Sequence, residues 1–338
     1  MFRKILLLLF IIVLIFAGWL MLLPCTDFKE ERKILLIKTG ENNKEKLIEL
    51  LINEKIIKNT LAFEYFGDLI QLWPRVEPGK YEIKKQYSLF QFIQMLRNHK
   101  QLAVNLVITK LRTPQQLAGL VGKKFECDSG KFSTYIKKKD SLKKFNVDEA
   151  QLLFIVHPNT YTYYWNAAPE DILKKMHDYH TSFWNERRQA KAQELGLTSL
   201  QATTLASIVE EETLVDEEKP VIARVYLNRL AKGMPLGADP TVKFATGDFS
   251  LRRIMLKHIK ATAQSPYNTY INKGLPPGPI CTPQDATIDA VLNPDDNDYL
   301  FFCAAPGYNG THKFAVNDKE HLENARIYQQ WLNNEGIR

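Results

Sequence analysis

The chain begins with an apolar run from Ile5 to Leu23. Its roughly 19 uncharged residues would form a helix about 28 Å long, close to the hydrocarbon thickness of a bilayer. Arg3 and Lys4 precede the run, and basic residues mark the cytoplasmic end of a membrane helix. We therefore predict an uncleaved single-pass anchor within residues 1–24, located in the cell membrane, with the remaining chain on the extracytoplasmic side.

A cleaved signal peptide is the alternative explanation of this run. The run is long for a signal peptide, and no small-x-small cleavage site precedes Cys25. Pro24 stands directly before Cys25, which also argues against lipoprotein processing at that cysteine. The sequence favours the anchor.

The composition suits a globular protein of about two domains. The chain has 338 residues, of which 25% are charged and 45% hydrophobic. The net charge is +7, and its basic residues form no dense Arg/Lys stripe interleaved with aromatic residues, so we expect no nucleic-acid partner. A mild positive excess suits an anionic polymer or a membrane surface, although a slightly basic solvated surface explains it equally well.

The cysteines and histidines show no spacing typical of a metal site. Cys25, Cys127, Cys281 and Cys303 are far apart in the sequence, and the histidines form no H-E-x-x-H arrangement. We expect no metal and no cofactor. A disulfide between Cys281 and Cys303 is compatible with export, but nothing in the sequence requires it.

Residues 33–108 have the pattern of a small α+β module without a catalytic constellation. A spacer and a glycan-binding module are both compatible with it. The predicted strands are Ile34–Ile37, Tyr81–Ile83 and Leu102–Ile108, and the predicted helices are Lys44–Ile57 and a helix capped by Ser88.

Residues 109–338 are predicted to form a second, mixed α/β domain. Helices dominate from Thr113 to Gly196, interrupted by the aromatic segment His157–Trp165, which suits core packing or a sugar-stacking wall. Further elements are predicted at Val221–Ala231 (helix), Tyr299–Ala304 (a buried strand), His312–Phe314 (a short strand) and from Lys319 (helix). Between Ala231 and Tyr299 the chain is predicted to be rich in loops, which include Gly237–Thr241, Ser265–Tyr270 and Gly274–Pro279.

The stretch Leu205–Thr213 joins an apolar helical run to three consecutive carboxylates. Thr198 and Gln201 form a capping box that opens the helix. At about 100° per residue, Glu212 falls on the apolar face close to Leu205. The stretch could equally be an ordinary helix end with solvated acidic residues.

The same geometry separates the three acids. Glu211 points away from the apolar face, and Glu210 lies on the opposite flank of the helix. We therefore predict that Glu212 alone is directed toward the interior. Burial raises the pKa of a carboxyl group, and a raised pKa is what a general acid needs.

An ordered series of motifs follows in the sequence, and together they resemble the YceG-like (MltG-type) endolytic murein transglycosylases. The agreement covers most of residues 200–328, and Glu77–Tyr81 resembles, more weakly, the LysM-like module of these proteins. The matching motifs are Ala206–Thr213, Glu218, Val225–Leu230, Met234, Asp239–Val242, Tyr267–Tyr270, Gly274–Gly278, Tyr299–Phe302 and His312 with Phe314.

The resemblance implies cleavage of peptidoglycan glycan strands between N-acetylmuramic acid and N-acetylglucosamine without water. The muramic acid C6 hydroxyl would attack its own anomeric carbon and leave a 1,6-anhydro end. One Glu, matching Glu212, would act as general acid and base, unlike the two-carboxylate scheme of most glycosidases. Nascent strands are the expected substrate, and peptidoglycan synthases are expected partners.

The resemblance also suggests further site residues. Glu210 and Glu218 are candidate supporting or substrate-contacting carboxylates, although helix surface or salt bridges would also explain them. The other candidates are polar or aromatic residues of the predicted sugar-binding cleft, for which an Asx turn or loop packing is the alternative. They are Asp239, Thr241, Tyr267, Asn268, Thr269 and Tyr270.

The chain departs from the family pattern on one wall of the cleft. Leu153-Phe154 replaces an acidic-Gly pair, Asn159 replaces an Asp, and Gly237 replaces a Gln. The prediction overall is an α+β protein with one transmembrane helix, a LysM-like module and a YceG-like catalytic domain. A hydrolytic muramidase, with Glu210 or Glu218 positioning water, and a non-catalytic glycan-binding scaffold are the alternative functions.

Overall fold

A computed structural model describes residues 2–307 and 309–336. Within these ranges the chain has fifteen α-helices and six strands. The helices are α1 Phe2–Leu22, α2 Lys44–Asn53, α3 Thr60–Leu69, α4 Leu89–Arg97, α5 Pro114–Lys124, α6 Ser129–Lys137, α7 Lys139–Lys143, α8 Pro169–Phe183, α9 Glu186–Glu194, α10 Ser199–Glu212, α11 Lys219–Ala231, α12 Asp239–Thr246, α13 Leu256–Ala261, α14 Asp285–Leu292 and α15 Asp318–Asn334. The strands are β1 Arg32–Ile37, β2 Gly79–Lys84, β3 Val104–Ile108, β4 Asn159–Tyr163, β5 Phe301–Ala304 and β6 His312–Ala315.

Helix α1 carries the N-terminal apolar run. It has 21 residues, and its side chains are largely exposed along their whole length. In the described part of the chain it is the one helix long and apolar enough to cross a membrane, with a mean hydropathy of 3.2. The predicted membrane segment therefore coincides with a helix of suitable length and composition.

The chain divides into two compact units, and the division is less simple than the predicted boundary at residues 108 and 109. The first unit contains the residues up to Leu106 together with Gly122–Asp128 and Thr162–Ala168, and the second contains the rest. The two later segments return to the first unit because they bond to it. The backbone N–H and the hydroxyl of Thr39 both donate to the Glu126 carboxylate at 2.7 Å.

The first unit has an antiparallel pair of strands, β1 and β2, that runs from Arg32 opposite Lys84 to Ile37 opposite Gly79. Alternate side chains of both strands are buried against helices α2, α3 and α4. Ser88 caps α4 as predicted. Helix α2 ends at Asn53, before its predicted end, and α3 was not predicted.

The second unit is built around helix α10, which packs against α9, α11, α12 and α14. The predicted capping box of Thr198 and Gln201 is present. Nine consecutive residues, Ala202 to Glu210, are buried, so this helix has neighbours on every side rather than on one face. Helix α12 begins within the predicted loop Gly237–Thr241, and α13 lies in a segment for which no element was predicted.

The C-terminal part of this unit contains the antiparallel strands β5 and β6, which pair Phe301 with Ala315 and Ala304 with His312. Strand β5 is half-buried, not fully buried as predicted. Helix α15 packs against both strands. All four cysteines are free, so Cys281 and Cys303 form no disulfide.

Candidate active site

Glu212 is the last residue of α10. Beyond it Thr213 is extended, and its N–H donates to the Val209 carbonyl and closes the helix. The side chain of Glu212 reaches a cavity of about 580 Å³, a volume within the range of roughly 300–1,000 Å³ that is common for ligand sites. The described lining of this cavity is Glu212, Thr213, Leu214, Val215, Ala304, Ala305, Gly307, Asn309, Gly310, Thr311, His312 and Tyr328.

Tyr226 of α11 donates its hydroxyl to Glu212 Oε1 at 2.6 Å. Burial raises the pKa of Glu212 from 4.5 to about 7, and the charges of Asp239 and Glu211 act in the same direction. The Tyr226 hydrogen bond and the Arg229 charge oppose this rise. A carboxyl group with a pKa near neutrality is protonated often enough to donate a proton and acidic enough to give it up.

Replacing Tyr226 with Phe should move the pH profile of the reaction to higher pH. The hydroxyl stabilises the ionised carboxylate, so its removal raises the pKa of Glu212 further, by about one unit for a charge-assisted hydrogen bond. The decline of kcat/KM at high pH, which follows the ionisation of Glu212, should move to higher pH by the same amount. A decline at an unchanged or lower pH in Tyr226→Phe would contradict the assignment of this decline to Glu212.

Side chains of the segment Val225–Leu230 hold the backbone near the site in place through hydrogen bonds. Asn228 Nδ2 donates to the carbonyls of Asn297 and Tyr299 at 2.9 and 3.0 Å. The Arg229 guanidinium donates to the carbonyls of Leu236 and Leu300, each at 2.6 Å. This helix therefore fastens two loops and the start of β5 around Glu212.

The prediction that Glu212 alone faces the interior is wrong, because Glu210 is the more deeply buried acid, with 6% of its surface exposed. Its Oε2 lies 3.4 Å from Lys219 Nζ and accepts the Thr287 hydroxyl, while its Oε1 lies 3.6 Å from Lys110 Nζ. A helical-face argument assumes one buried face, and α10 is enclosed on all sides. Glu210 is not among the described residues that line the 580 Å³ cavity.

Glu211 is also turned toward protein groups rather than toward solvent. Arg112 Nη2 lies 2.9 Å from one of its carboxylate oxygens and Lys110 Nζ 3.4 Å from the other. The three consecutive acids therefore have three different surroundings. Two are neutralised by cations, and Glu212 is bonded to a phenol.

Glu218 lies in the short 3₁₀ turn before α11 and holds the first residue of β6. Its Oε1 accepts the backbone N–H of His312 at 2.7 Å, and its Oε2 lies 2.8 Å from His312 Nδ1. His312 lines the cavity, so Glu218 acts on the cavity through His312. Of the two roles predicted for Glu218, this position fits the supporting role and not direct substrate contact.

Asp239 and Tyr270 form an exposed polar pair on the second unit. The Tyr270 hydroxyl donates to Asp239 Oδ1 at 2.6 Å. Burial and this hydrogen bond raise the pKa of Tyr270, and the charge of Asp239 raises the pKa of Glu212. Both predicted residues are therefore close enough to the candidate acid to influence it, and their side chains remain accessible.

Three of the predicted cleft residues are positioned for loop packing instead of sugar contact, because they are buried and bonded within the protein. The hydroxyls of Thr241 and Thr269 lie 2.8 Å apart, and Thr269 also accepts the Ala238 N–H. Asn268 donates to the Ile259 carbonyl and to the Thr262 hydroxyl. Each has 1% or less of its surface exposed.

Tyr267 is half-buried, and its ring centroid lies 4.6 Å from that of Phe244. Gly278, in the Leu-Pro-Pro-Gly segment, approaches the same region closely. A Cβ there would lie 2.8 Å from the Ala150 carbonyl oxygen and 3.5 Å from the Tyr267 hydroxyl, so a larger residue would displace the backbone. The Ile280 N–H then donates to the Ser207 hydroxyl on α10.

Tyr226, Arg229 and His312 are the functional residues that sequence reasoning left without a role. All three lie in the motifs of the resemblance, which is the only signal that could have marked them. Their link to Glu212 depends on how α10, α11 and β6 pack, and no spacing in the sequence encodes it. No group of three His, Cys, Asp or Glu residues within the described ranges is arranged to hold a metal ion.

The aromatic segment that begins at His157 packs into the core, one of the two explanations considered for it. His157 Nδ1 lies 2.5 Å from Asp285 Oδ1, and its Nε2 lies 3.0 Å from His180 Nδ1. Burial lowers the pKa of His180 to about 3. Asp285 opens α14, so this network fixes the helix that carries Thr287 to Glu210.

Comparison with known proteins adds two relatives, one of which matches most of this chain. An endolytic murein transglycosylase of Bacillus subtilis (strain 168) is 30% identical over 291 residues, which are 81% of this chain and 79% of the relative. An endolytic murein transglycosylase of Streptococcus pneumoniae (strain ATCC BAA-255 / R6) is 30% identical over 172 residues, which are 49% of this chain and 30% of that protein.

A solved structure gives the same assignment at the level of the fold. The crystal structure of a YceG-like protein from Listeria monocytogenes matches with a TM-score of 0.57 and 25% identity, covering 87% of this chain and 99% of that one. The model of the YceG-like family matches residues 35–327, which include α10, α11 and both strands at the cavity. With that match over most of its length, the chain belongs to the YceG-like family.

Proposed function

We propose that this protein is a membrane-anchored, endolytic peptidoglycan lytic transglycosylase. The observation that carries the proposal is a glutamate with a pKa of about 7 at a cavity of ligand size, in a chain whose relatives are named endolytic murein transglycosylases. The proposed bond is the one between N-acetylmuramic acid and N-acetylglucosamine in nascent glycan strands. The proposed product end is 1,6-anhydro-N-acetylmuramic acid.

Glu212 is the proposed general acid. Its protonated carboxyl would donate to the glycosidic oxygen as the bond to the anomeric carbon breaks. The C6 oxygen of the same sugar would form the new bond to that carbon, and its proton would pass to the Glu212 carboxylate left by the first transfer, so that one Glu serves as general acid and then as base. The Tyr226 hydrogen bond stabilises the carboxylate that results. The reaction adds no water, so a single acid at neutral pH supplies the proton that the leaving sugar requires.

The accessible polar pair Asp239 and Tyr270, with Tyr267 beside it, is the proposed wall for neighbouring sugars. Carboxylate and phenol groups can bond sugar hydroxyl and N-acetyl groups, and aromatic faces suit the apolar faces of pyranose rings. Thr241, Asn268 and Thr269 would act indirectly by holding the loops that carry this wall.

Helix α1 is the proposed anchor, with the second unit on the extracytoplasmic side, where peptidoglycan lies. Arg3 and Lys4 at its start support this orientation. The first unit has the order β1-α2-α3-β2 between residues 32 and 84, which we propose is the LysM-like module. Proximity to the membrane would bring the enzyme to new strands and to the synthases that make them.

Product masses test the proposal directly. The full-length protein in detergent should release fragments from isolated sacculi and from newly made glycan strands, and each new muramic acid end should lack one water relative to a reducing end. Internal cleavage should produce a spread of lengths from uniform strands.

Reducing ends in place of anhydro ends would replace the proposal with its alternative, a hydrolytic muramidase. Binding to sacculi without any product, unchanged by substitution of Glu212, would instead indicate a non-catalytic glycan-binding protein. The two outcomes are separated in the same chromatogram because one gives products of a different mass and the other gives none.

A further inference from the structure

His312 is placed opposite a carboxylate in a way that leaves one ring nitrogen for the cavity. Its Nδ1 lies 2.8 Å from Glu218 Oε2, and its backbone N–H donates to the other oxygen of the same carboxylate. Both side chains are largely buried, with 14% and 13% of their surfaces exposed. His312 lines the same cavity as Glu212, and its Nε2 has no hydrogen-bond partner among the described residues.

The Glu218 carboxylate determines which nitrogen of His312 carries a proton. A carboxylate only accepts hydrogen bonds, so Nδ1 must be the protonated nitrogen. The neutral ring then presents the lone pair of Nε2 to the cavity, and a positive charge on the ring is stabilised by Glu218. This is the orientation in which a carboxylate holds a histidine that serves as a base.

We propose that His312, positioned by Glu218, is a second catalytic residue that accepts the proton of the attacking hydroxyl. The inference rests on the proposed function, because the hydroxyl is the sugar C6 hydroxyl of that reaction. It divides between two residues the two proton transfers that a single glutamate would otherwise perform in turn. Where Glu212 acts alone, it accepts the C6 proton after it has donated its own; a base at His312 would let the attack begin while Glu212 is still protonated.

The step balances in atoms and charge. The O6–H bond breaks and its proton passes to His312 Nε2, while O6 forms a bond to C1. The C1–O4 bond breaks with its electron pair on O4, which takes the proton of Glu212. The product state has a positively charged His312 and an ionised Glu212, and one proton transfer from imidazolium to carboxylate restores both.

The groups around His312 come from several elements. Glu218 faces the ring from the turn before α11, Glu212 and Tyr328 share the cavity, and Cys303 lies on the adjacent strand β5. Thr213, Asn309 and Thr311 also line the cavity, and the Phe302 and Phe314 rings lie 5.4 and 6.5 Å from the imidazole centroid. Glu218 and Glu212 are the two carboxylates among these described residues, and the charge of Arg229 acts on Glu212 from α11.

The test compares His312→Ala, His312→Gln and Glu218→Gln in the full-length protein with glycan strands as substrate. Loss of a base should lower the rate of anhydro product formation about 100-fold in both His312 variants, within the ~10²–10⁴ range of general acid–base catalysis. Added imidazole should restore part of the rate in His312→Ala, a response that a purely structural role would not produce.

A double-mutant cycle tests the positioning role of Glu218. Glu218→Gln should slow the wild-type background about tenfold and have little effect in the His312→Ala background, because Glu218 acts through the ring that is then absent. His321→Ala provides a matched control, since His321 stacks on Phe301 of β5 but is not among the described residues of the cavity. His321→Ala should lower the stability of the protein, and added imidazole should not change its reaction rate.

The outcomes separate this inference from the proposed function. Wild-type protein that yields no anhydro product would refute the function itself. Wild-type product together with an unchanged rate in His312→Ala, or with equal effects of Glu218→Gln in both backgrounds, would refute only the assignment to His312. Rescue by imidazole with retained anhydro products supports it.

Discussion

Glu212→Gln should lower the turnover of glycan strands by about 10²–10⁴ while leaving binding to them nearly intact. The amide has the size of the carboxyl and can still accept the Tyr226 hydroxyl, so the cavity keeps its shape. It cannot donate the proton that the leaving sugar needs. Steady-state kinetics on defined strands, with pull-down of the same strands, measures the two effects separately.

The pH dependence of stability provides an internal check on the same variant. The folded-state pKa of Glu212 is raised from 4.5 to about 7, so its favourable contribution is complete below about pH 4.5 and is lost as the pH rises through 7. Above that pH the folded protein holds an ionised, poorly solvated carboxylate. Gln never ionises, so Glu212→Gln should match the wild type near pH 4 and exceed its unfolding free energy by about 2–3 kcal/mol near pH 8, after allowance for partial exposure.

A control variant in the 3₁₀ turn that follows α10 strengthens both measurements. Glu217 is exposed and lies outside the described cavity lining, so Glu217→Gln should change neither turnover nor the stability profile. Wild-type turnover in Glu212→Gln would remove Glu212 from the chemistry. A uniform loss of stability at every pH would show instead that the variant disturbs the fold.

Short-range patterns in the sequence were sufficient to predict features that depend on neighbouring residues, such as helix caps. The capping box of Thr198 and Gln201 and the cap at Ser88 were predicted because each depends on residues a few positions apart. The strands Ile34–Ile37 and Tyr81–Ile83 were also predicted, but their pairing, which joins residues far apart in the sequence, was not. Helix α3 was missed. Its Gly67 packs where a Cβ would lie 2.6 Å from the Trp73 ring, a tertiary contact that a propensity argument does not include.

The candidate site shows the same difference between features that local sequence predicts and features that depend on tertiary packing. Face geometry selected Glu212, but two things about it depend on how the helices pack: the burial that raises its pKa, and the opposing hydrogen bond from Tyr226, which is 14 residues away in sequence. The same geometry misplaced Glu210, because a helix enclosed by four others has no solvent face. Thr241 and Asn268, hydroxyl and amide groups that suit sugars by type, are used for loop packing, and only the folded chain distinguishes the two uses.

Glu210→Ala should lower the free energy of unfolding by about 3–5 kcal/mol, the usual cost of removing one partner from a buried ion pair. The substitution leaves Lys219, itself buried, without its buried partner and leaves the Thr287 hydroxyl on α14 without an acceptor. Among the described residues Lys219 then keeps Asp216 as its ion-pair partner, and the Asp216 carboxylate is mostly exposed. Denaturant unfolding of the full-length protein, followed by circular dichroism, measures the loss.

Two further variants decide whether this acid serves the fold or the substrate. Glu323→Ala removes one partner of the exposed pair with Arg326 and should leave the free energy of unfolding nearly unchanged, because solvent screens such a pair; this variant calibrates the measurement. Glu210→Gln keeps the shape and the acceptor for Thr287 but removes the charge. A structural acid predicts lower stability with unchanged KM in the protein that remains folded, whereas the substrate contact suggested by the sequence predicts a raised KM at nearly wild-type stability. Because Glu210 is enclosed by two lysines and a threonine, we expect the first result.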